Sequence, residues 1–384
     1  MNQNDEKKIL STGVLIGIQV LIVILTFTLG GLTYHVFFRY HSEFGLLSQA
    51  KDILEDHAYH DLPEQKDLEY GMIRGMLGTL NDPYTNFVEP AAHEVQSNDL
   101  AGNFGGIGAR LERDTQMNWR LYPLPDSPSS EAGIHDGDLL LGVDGLKVTS
   151  ETDDVTLLAA LRGEIDSKVT LTIQRGTQVL TMEIKRQSVA LPSVSYNLLP
   201  EETQTGFLKI NRIAETTADE IETGIRELQN QGAQAFILDL RDNGGGLVDA
   251  GIEIARLFLS EGDIIRHQVK GQEIEIFRVE EPGPFTEVPL VTLVNQNTAS
   301  SAEIVAGAFK SQDRSVLIGM PTFGKTTIQF VFDLQDGSSI HVTSGQWWVD
   351  DIEFPLMPDI EIAVDPTEGA LILQAIKVLE NDIK

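Results

Sequence analysis

Three short segments in the second half of this chain hold residue types that can do chemistry. The first, Leu238-Asp239-Leu240-Arg241-Asp242-Asn243-Gly244-Gly245-Gly246, ends an apolar run in three glycines. Glycines there let backbone N–H groups close on an anion, although the same letters also serve as a plain strand-to-helix turn. The second, Asn295-Gln296-Asn297-Thr298-Ala299-Ser300-Ser301-Ala302-Glu303, offers two hydroxyls. Ser300 with Glu303 three residues on reads as a capping box, and a serine at a helix start is also well placed beside an oxyanion hole. The third, Pro321-Thr322-Phe323-Gly324-Lys325-Thr326-Thr327-Ile328-Gln329, sets one lysine among apolar and hydroxyl residues. Taken alone, such a lysine is an ordinary surface group. The chain has no cysteine, which excludes thiolate nucleophiles, disulfides and Cys-based zinc sites. None of its eight histidines falls in the three segments, and neither a Gly-x-Ser-x-Gly elbow nor a His-Glu-x-x-His helix occurs.

The elements that must position these residues alternate in type. From Gly206 onward the pattern predicts a strand over 207–210, a helix over 218–230 ended by Gly232, and a strand over 235–240. It continues with a helix over 247–259, strands over 289–294 and 316–318, and a helix over 301–310 between those two. Strand and helix in alternation argue for an α/β layer with largely parallel strands, whose sites gather where strands end and helices begin. Residues 44 to 95 read as short helices, with a second apolar-periodic run over 68–80 closed by Asn81-Asp82-Pro83. Between about Asn98 and Arg186 the texture is that of a small β module, short strands broken by Gly102, Gly105, Gly106, Gly108, Gly133, Gly137 and Gly145.

In this order the three segments resemble those of the carboxy-terminal processing proteases, also called tail-specific proteases. Their usual forms are Leu-Arg-x-Asn-x-Gly-Gly, Ser-Ala-Ser-Ala-Ser-Glu and Phe-Gly-Lys-Gly. The resemblance runs from about residue 45 onward. In that family the nucleophilic serine precedes the lysine by 25 positions, a spacing that selects Ser300 over Ser301 as partner of Lys325. Asp82-Pro83-Tyr84-Thr85 is similar to the segment ahead of the family's PDZ domain. Ser127-Pro128, Ala132-Gly133-Ile134, Gly137-Asp138 and Val143-Asp144-Gly145 resemble the PDZ signature itself. The implied fold is α/β and β: a ClpP/crotonase-like α/β protease core with an inserted PDZ-like β domain, an N-terminal transmembrane helix and a small helical N-terminal region. The implied activity is that of a serine endopeptidase. Ser301, Thr326 and Gly244 stand where the family has Ala, Gly and frequently Pro, and the family's Gly-x-x-Pro-Asp tail segment is recast over 350–359. No reacting group is deleted, but a threonine at 326 would strain a backbone that needs positive φ.

The chemistry follows from what an alkyl hydroxyl lacks. Ser300 needs a base, and without a nearby histidine Lys325 must serve unprotonated. A free lysine titrates near ~10.4, so burial has to lower it; a shift of roughly 3 units corresponds to about 4 kcal/mol. Phe323, Ile328 and the strand at 316–318 are the expected dry surroundings. Gln329 matches the family position that hydrogen-bonds and orients the lysine. One N–H from Gly245 or Gly246 and one from Ser301 are the expected oxyanion donors. No metal or organic cofactor is required. In the PDZ-like module, Phe104-Gly105-Gly106-Ile107-Gly108 is the expected carboxylate loop for the C-terminal tails of protein substrates.

At 384 residues and 41% apolar, the chain is long enough for two cored domains and an anchor. The predicted division is 1–38 cytoplasmic tip and membrane anchor, 39–95 helical region, 96–188 PDZ-like domain and 189–384 protease core with a C-terminal helix. Lys7 and Lys8 precede an uncharged stretch from Ile9 to Phe38, long enough to span a bilayer. An uncleaved single-pass anchor with the catalytic body outside the cytoplasm is therefore expected, periplasmic or cell-surface. The formal charge of −30 falls wholly on the body, since residues 1 to 44 balance three basic against three acidic groups. Such a body repels nucleic acid and favours apolar substrate tails. Helices at 44–80 and 366–380 are candidates for pairing two subunits as a homodimer. Two other readings compete: a catalytically inactive PDZ scaffold whose site has decayed at Ser301 and Thr326, and a hydrolase whose base is His267 or His341.

Overall fold

The computed structural model describes residues 25–28, 44–200, 204–362 and 367–382. The expected membrane span lies outside the described residues except for 25–28, which are helical. Among the described residues no helix is long and apolar enough to cross a membrane. The chain divides after Ile73 into two units. In the first, helix α1 (Gly45–His57) buries no residue and leaves Leu46, Leu47, Ile53 and Leu54 exposed; α2 (Gln65–Gly78) begins in it and ends in the second.

The second unit holds both the PDZ-like module and the core. A strand, β1 (Asn86–Val88), and a helix, α3 (Pro90–Ala101), occupy part of the segment predicted to be wholly short helices. The module's sheet is built from β3 (Ala109–Arg113), β4 (Trp119–Pro123), β5 (Asp138–Val143), β7 (Lys168–Arg175) and β8 (Gln178–Lys185), in that spatial order and antiparallel throughout. Short β6 (Leu146–Lys147) hangs on β5. Two helices, α4 (Pro128–Glu131) and α5 (Asp154–Leu161), complete the module; Leu157 of α5 is fully buried with Leu121, Val169, Leu171 and Ile173 of the sheet. At the neck, β2 (Asn103–Gly106) pairs with β9 (Gln187–Ala190), so the chain enters and leaves side by side.

The core sheet runs β10 (Val194–Leu198), β11 (Thr205–Ile210), β12 (Ala235–Asp239), β15 (Leu290–Val294), β16 (Val316–Gly319), β19 (Ile360–Glu361), parallel except for β10. Every residue of β12 and β15 is buried, because helices cover both faces, and that is why these strands read as unbroken apolar runs. Alternation sends Phe236 and Leu238 to the face packed by α6 (Thr217–Asn230), α7 (Val248–Phe258) and α8 (Ser301–Ser311). Ala235 and Ile237 go to the face packed by Leu371, Ala375, Ile376 and Leu379 of α9 (Thr367–Asp382). Each large apolar side chain so buried stabilises the layer by about 1.5–3 kcal/mol. The helix at 366–380 expected to pair subunits thus spends this stripe inside its own chain.

A second sheet was not foreseen. It orders β1, β18 (Ser339–Trp348), β13 (Asp263–Val269) and β14 (Glu275–Arg278), with β17 (Thr327–Asp333) paired to β18. It matters because Lys325 stands two residues before β17.

Candidate active site

Since β12 and β15 are parallel neighbours, the loops leaving their carboxyl ends emerge together. The loop after β15 enters α8 at Ser300, whose backbone stands at φ 57° and ψ −125°. L-residues avoid that region at a cost of order 1–3 kcal/mol, and a sharp strand-to-helix bend of this kind lifts a nucleophile clear of the backbone. Ser300 keeps 8% of its surface open, whereas Ser301 is fully buried and its hydroxyl has no partner among the described residues. Of the two serines, only 300 has access to a substrate.

The glycine loop packs directly on this bend. Ala299 N donates to Asn243 O at 2.9 Å, and the Asn243 amide is itself tied to Ile210 O at 2.8 Å. Gly245 has φ +93°, and a Cβ there would lie 2.7 Å from Ala299 O, 2.8 Å from Ser300 Cβ and 3.0 Å from Ser301 N. Glycine is required on both counts. Its own N–H donates to Asn243 Oδ1 at 2.8 Å, so Gly245 is not free to serve as the oxyanion donor in this state. The N–H groups of Gly246 and of Ser301, the first residue of α8, donate to no described acceptor.

One buried carboxylate joins the serine to the lysine. Glu303 accepts from Ser300 N at 2.9 Å, Thr322 Oγ1 at 2.6 Å, Gly324 N at 2.7 Å and Lys325 N at 2.9 Å. The first of these is the expected carboxylate arm of the capping box; the other three reach a different loop. Phe323 N adds a bond to Thr298 O at 3.0 Å. Burial pushes the Glu303 carboxyl up, and the four donors oppose that push.

Lys325 is half-buried, and desolvation holds its amine below the usual lysine value, with Asp82 and Glu303 pulling it back up. Its Nζ lies 5.0 Å from the centroid of the Tyr84 ring. It makes no hydrogen bond to Ser300 Oγ or to any other described residue in this state. The expected dry surroundings are corrected in one respect: Phe323 is 52% exposed and walls off nothing, because its backbone is drawn to Thr298 while its side chain turns outward. Ile328 is buried as expected, and the ring of Tyr84, a residue outside the three segments, lies over the amine. Gln329 does not bond the lysine either; its amide nitrogen donates to Thr327 Oγ1 at 2.9 Å and Thr343 Oγ1 at 3.2 Å, beside a bulge between Ile328 and Gln329. The threonine at 326 is harmless, since positive φ falls on Gly324 (φ +90°) and not on Thr326.

In the PDZ-like module, Gly105 N donates to Gly163 O at 3.0 Å and Phe104 pairs with Val189, so the first part of the expected carboxylate loop is engaged within the neck. Ile107 is buried in the module's core, and Gly108 at φ +65° leads into β3, which pairs among the described residues with β4 alone.

Residues 204–362 match Peptidase family S41 and residues 105–185 match the PDZ domain. The chain is 36% identical over 313 residues to the carboxyl-terminal-processing protease of Picosynechococcus sp., covering 79% of this chain and 73% of that protein. It is 32% identical over 315 residues to the carboxy-terminal processing protease CtpA of Bacillus subtilis, covering 82% of this chain and 66% of that one. Among solved structures, the photosystem II D1 C-terminal processing protease aligns at 28% identity with a TM-score of 0.45, covering 88% of this chain and 92% of that one. The chain belongs to the S41 carboxyl-terminal processing proteases and is a serine-type peptidase carrying a PDZ domain.

Proposed function

We propose that Ser300 is the nucleophile and Lys325, unprotonated, the general base of an endopeptidase that cleaves proteins presented by their C-terminal tails. The lysine amine takes the hydroxyl proton as Ser300 Oγ attacks the scissile carbonyl carbon. The resulting oxyanion is met by the N–H groups of Ser301 and Gly246. The ammonium then returns its proton to the leaving amine, and a water hydrolyses the acyl-serine with Lys325 again as base. The observation that carries this reading is the four-donor Glu303 carboxylate, which ties the backbones of a strained serine and a desolvated lysine to one point. An amine not yet bonded to its hydroxyl agrees with it, since such pairs commonly tighten only when substrate binds.

A substrate tail would add as a strand to the open edge of β3, its carboxylate held near Gly106, Ile107 and Gly108. The layered sheet flanked by α6 to α9 is consistent with a ClpP/crotonase-like core. The stretch from Ile9 to Phe38 would anchor the chain with the body outside the cytoplasm, and the exposed face of α1 would pair two copies. The scaffold alternative loses its motive, because Thr326 needs no positive φ and Ser301 lies in the core.

The test uses the body without residues 1–38 and an unfolded protein ending in apolar residues. Ser300→Ala and Lys325→Ala should each abolish cleavage while the tail peptide still binds. Cleavage by either variant at the parent's rate would end the assignment.

A further inference from the structure

The segment Asp82-Pro83-Tyr84-Thr85 lies far in sequence from the site, yet it is built against the lysine. Asp82 closes the turn on itself: Oδ1 accepts Tyr84 N at 3.0 Å and Oδ2 accepts Thr85 Oγ1 at 2.6 Å. Thr85 Oγ1 in turn accepts Thr343 N from β18 at 3.0 Å, and Thr343 Oγ1 accepts Gln329 Nε2 at 3.2 Å. Thr85 is buried, and β1 continues from the turn into β18 with Asn86 opposite His341. The backbone that carries Tyr84 is therefore held on both sides, and Lys325 Nζ lies over the Tyr84 ring, 5.0 Å from its centroid.

From this geometry we propose that Tyr84 is a positioning residue for the general base: its ring face is the resting place of the Lys325 ammonium and sets the pH at which the amine becomes free to act. The inference rests on Lys325 being the base. An aromatic face attracts a cation and is indifferent to a neutral amine, so the contact favours the protonated form and raises the pH at which the proton leaves. Other charges face the amine too. Asp82 and Glu303 favour the ammonium, while on β18 burial, and after it the charges of His93 of α3 and of Lys325, hold the His341 imidazole below its usual value. His93 is occupied by Ser339 Oγ at 2.9 Å and Asp333 at 3.1 Å. None of them is removed by changing the ring, which isolates its effect.

The experiment is the pH profile of kcat/KM on the unfolded substrate for the parent, Tyr84→Phe and Tyr84→Leu, with Lys325→Ala as control. A partly desolvated cation–π contact of about 1–2 kcal/mol is a factor of about 5–30 in the protonation constant, so Tyr84→Leu should move the acid limb down by about one pH unit. Tyr84→Phe, which keeps the face and loses the hydroxyl, should leave the limb in place. Pentafluorophenylalanine at position 84 keeps the shape, reverses the face and should shift the limb at least as far as leucine, which guards against a leucine variant that fails to fold. A limb unmoved by the fluorinated ring, or moved equally by Tyr84→Phe, would overturn the proposal. An active Lys325→Ala control would instead overturn the assignment of the base, a separate failure.

Discussion

At the scale of single residues, Glu303 does what neither Ser300 nor Lys325 can do for itself. Ser300 sits in a backbone conformation that resists it, and Lys325 is a long chain with no hydrogen bond from its amine to any described residue. What fixes both is a carboxylate that accepts four donors while fully buried. Glu303→Gln keeps the shape but turns an N–H₂ toward groups that are themselves donors. We expect kcat to fall about a hundredfold with little change in KM, the scale of an ångström-sized misplacement, and stability to fall by about 1–3 kcal/mol. The pH dependence has a definite sign. Because burial raises the folded-state pKa of Glu303, its titration adds stability below the unfolded value and removes it as pH rises through the folded one. The stability gap between parent and Glu303→Gln in urea titrations should therefore be widest in acid and narrow upward; a gap that widens with pH would contradict this.

At the scale of elements, the site is a junction of two loops from neighbouring parallel strands and a third loop that enters the second sheet. The glycine loop shows how tightly the first two fit. Gly245→Ala puts a Cβ under 3 Å from Ala299 O and Ser300 Cβ at a φ of +93°, whereas a Cβ on Gly244 meets nothing within 4 Å. We expect Gly245→Ala to lose at least about a hundredfold in activity and Gly244→Ala to stay within about 0.5 kcal/mol of the parent in stability with its activity kept. Equal activities in the two variants would show that the close approach does not matter. The junction was legible in the sequence because β12 and β15 are buried on both faces and so read as unbroken apolar runs ending in turn residues. The second sheet was not: Phe330, Val331 and Phe332 of β17 are all exposed, so no alternation marks the strand, and the polar residues of β13 and β18 conceal theirs. The strained φ of Ser300 is likewise a product of the fold that no residue type announces. Tyr84 against Lys325 depends on β1, which precedes the PDZ-like domain in sequence, pairing with β18, which follows it: a long-range pairing without local trace.

At the scale of the whole molecule, charge is the strongest constraint on what reaches the site. The body carries 25 basic against 55 acidic side chains, and none of that excess lies in residues 1 to 44. Arginines that could offset it locally are already engaged: Arg241 is buried against Asp239 with bonds of 2.8 and 2.6 Å, and Arg175 is bound to Asp138. A substrate with an acidic tail thus approaches through a repulsive field, while a neutral apolar tail of equal length does not. Fields of this kind act over about 10 Å at 0.1 M salt and about 3 Å at 1 M, so added salt relieves the acidic substrate and leaves the neutral one unchanged. We expect kcat/KM for an acidic-tailed peptide to rise several-fold between roughly 0.05 and 0.5 M sodium chloride, and that for the neutral peptide to stay level. The effect belongs in the association step, so stopped-flow binding to the Ser300→Ala variant should show the same salt dependence in the on-rate. If the acidic peptide were cleaved fastest at low salt, the recognition surface would have to carry a local positive field strong enough to reverse the sign set by the rest of the body.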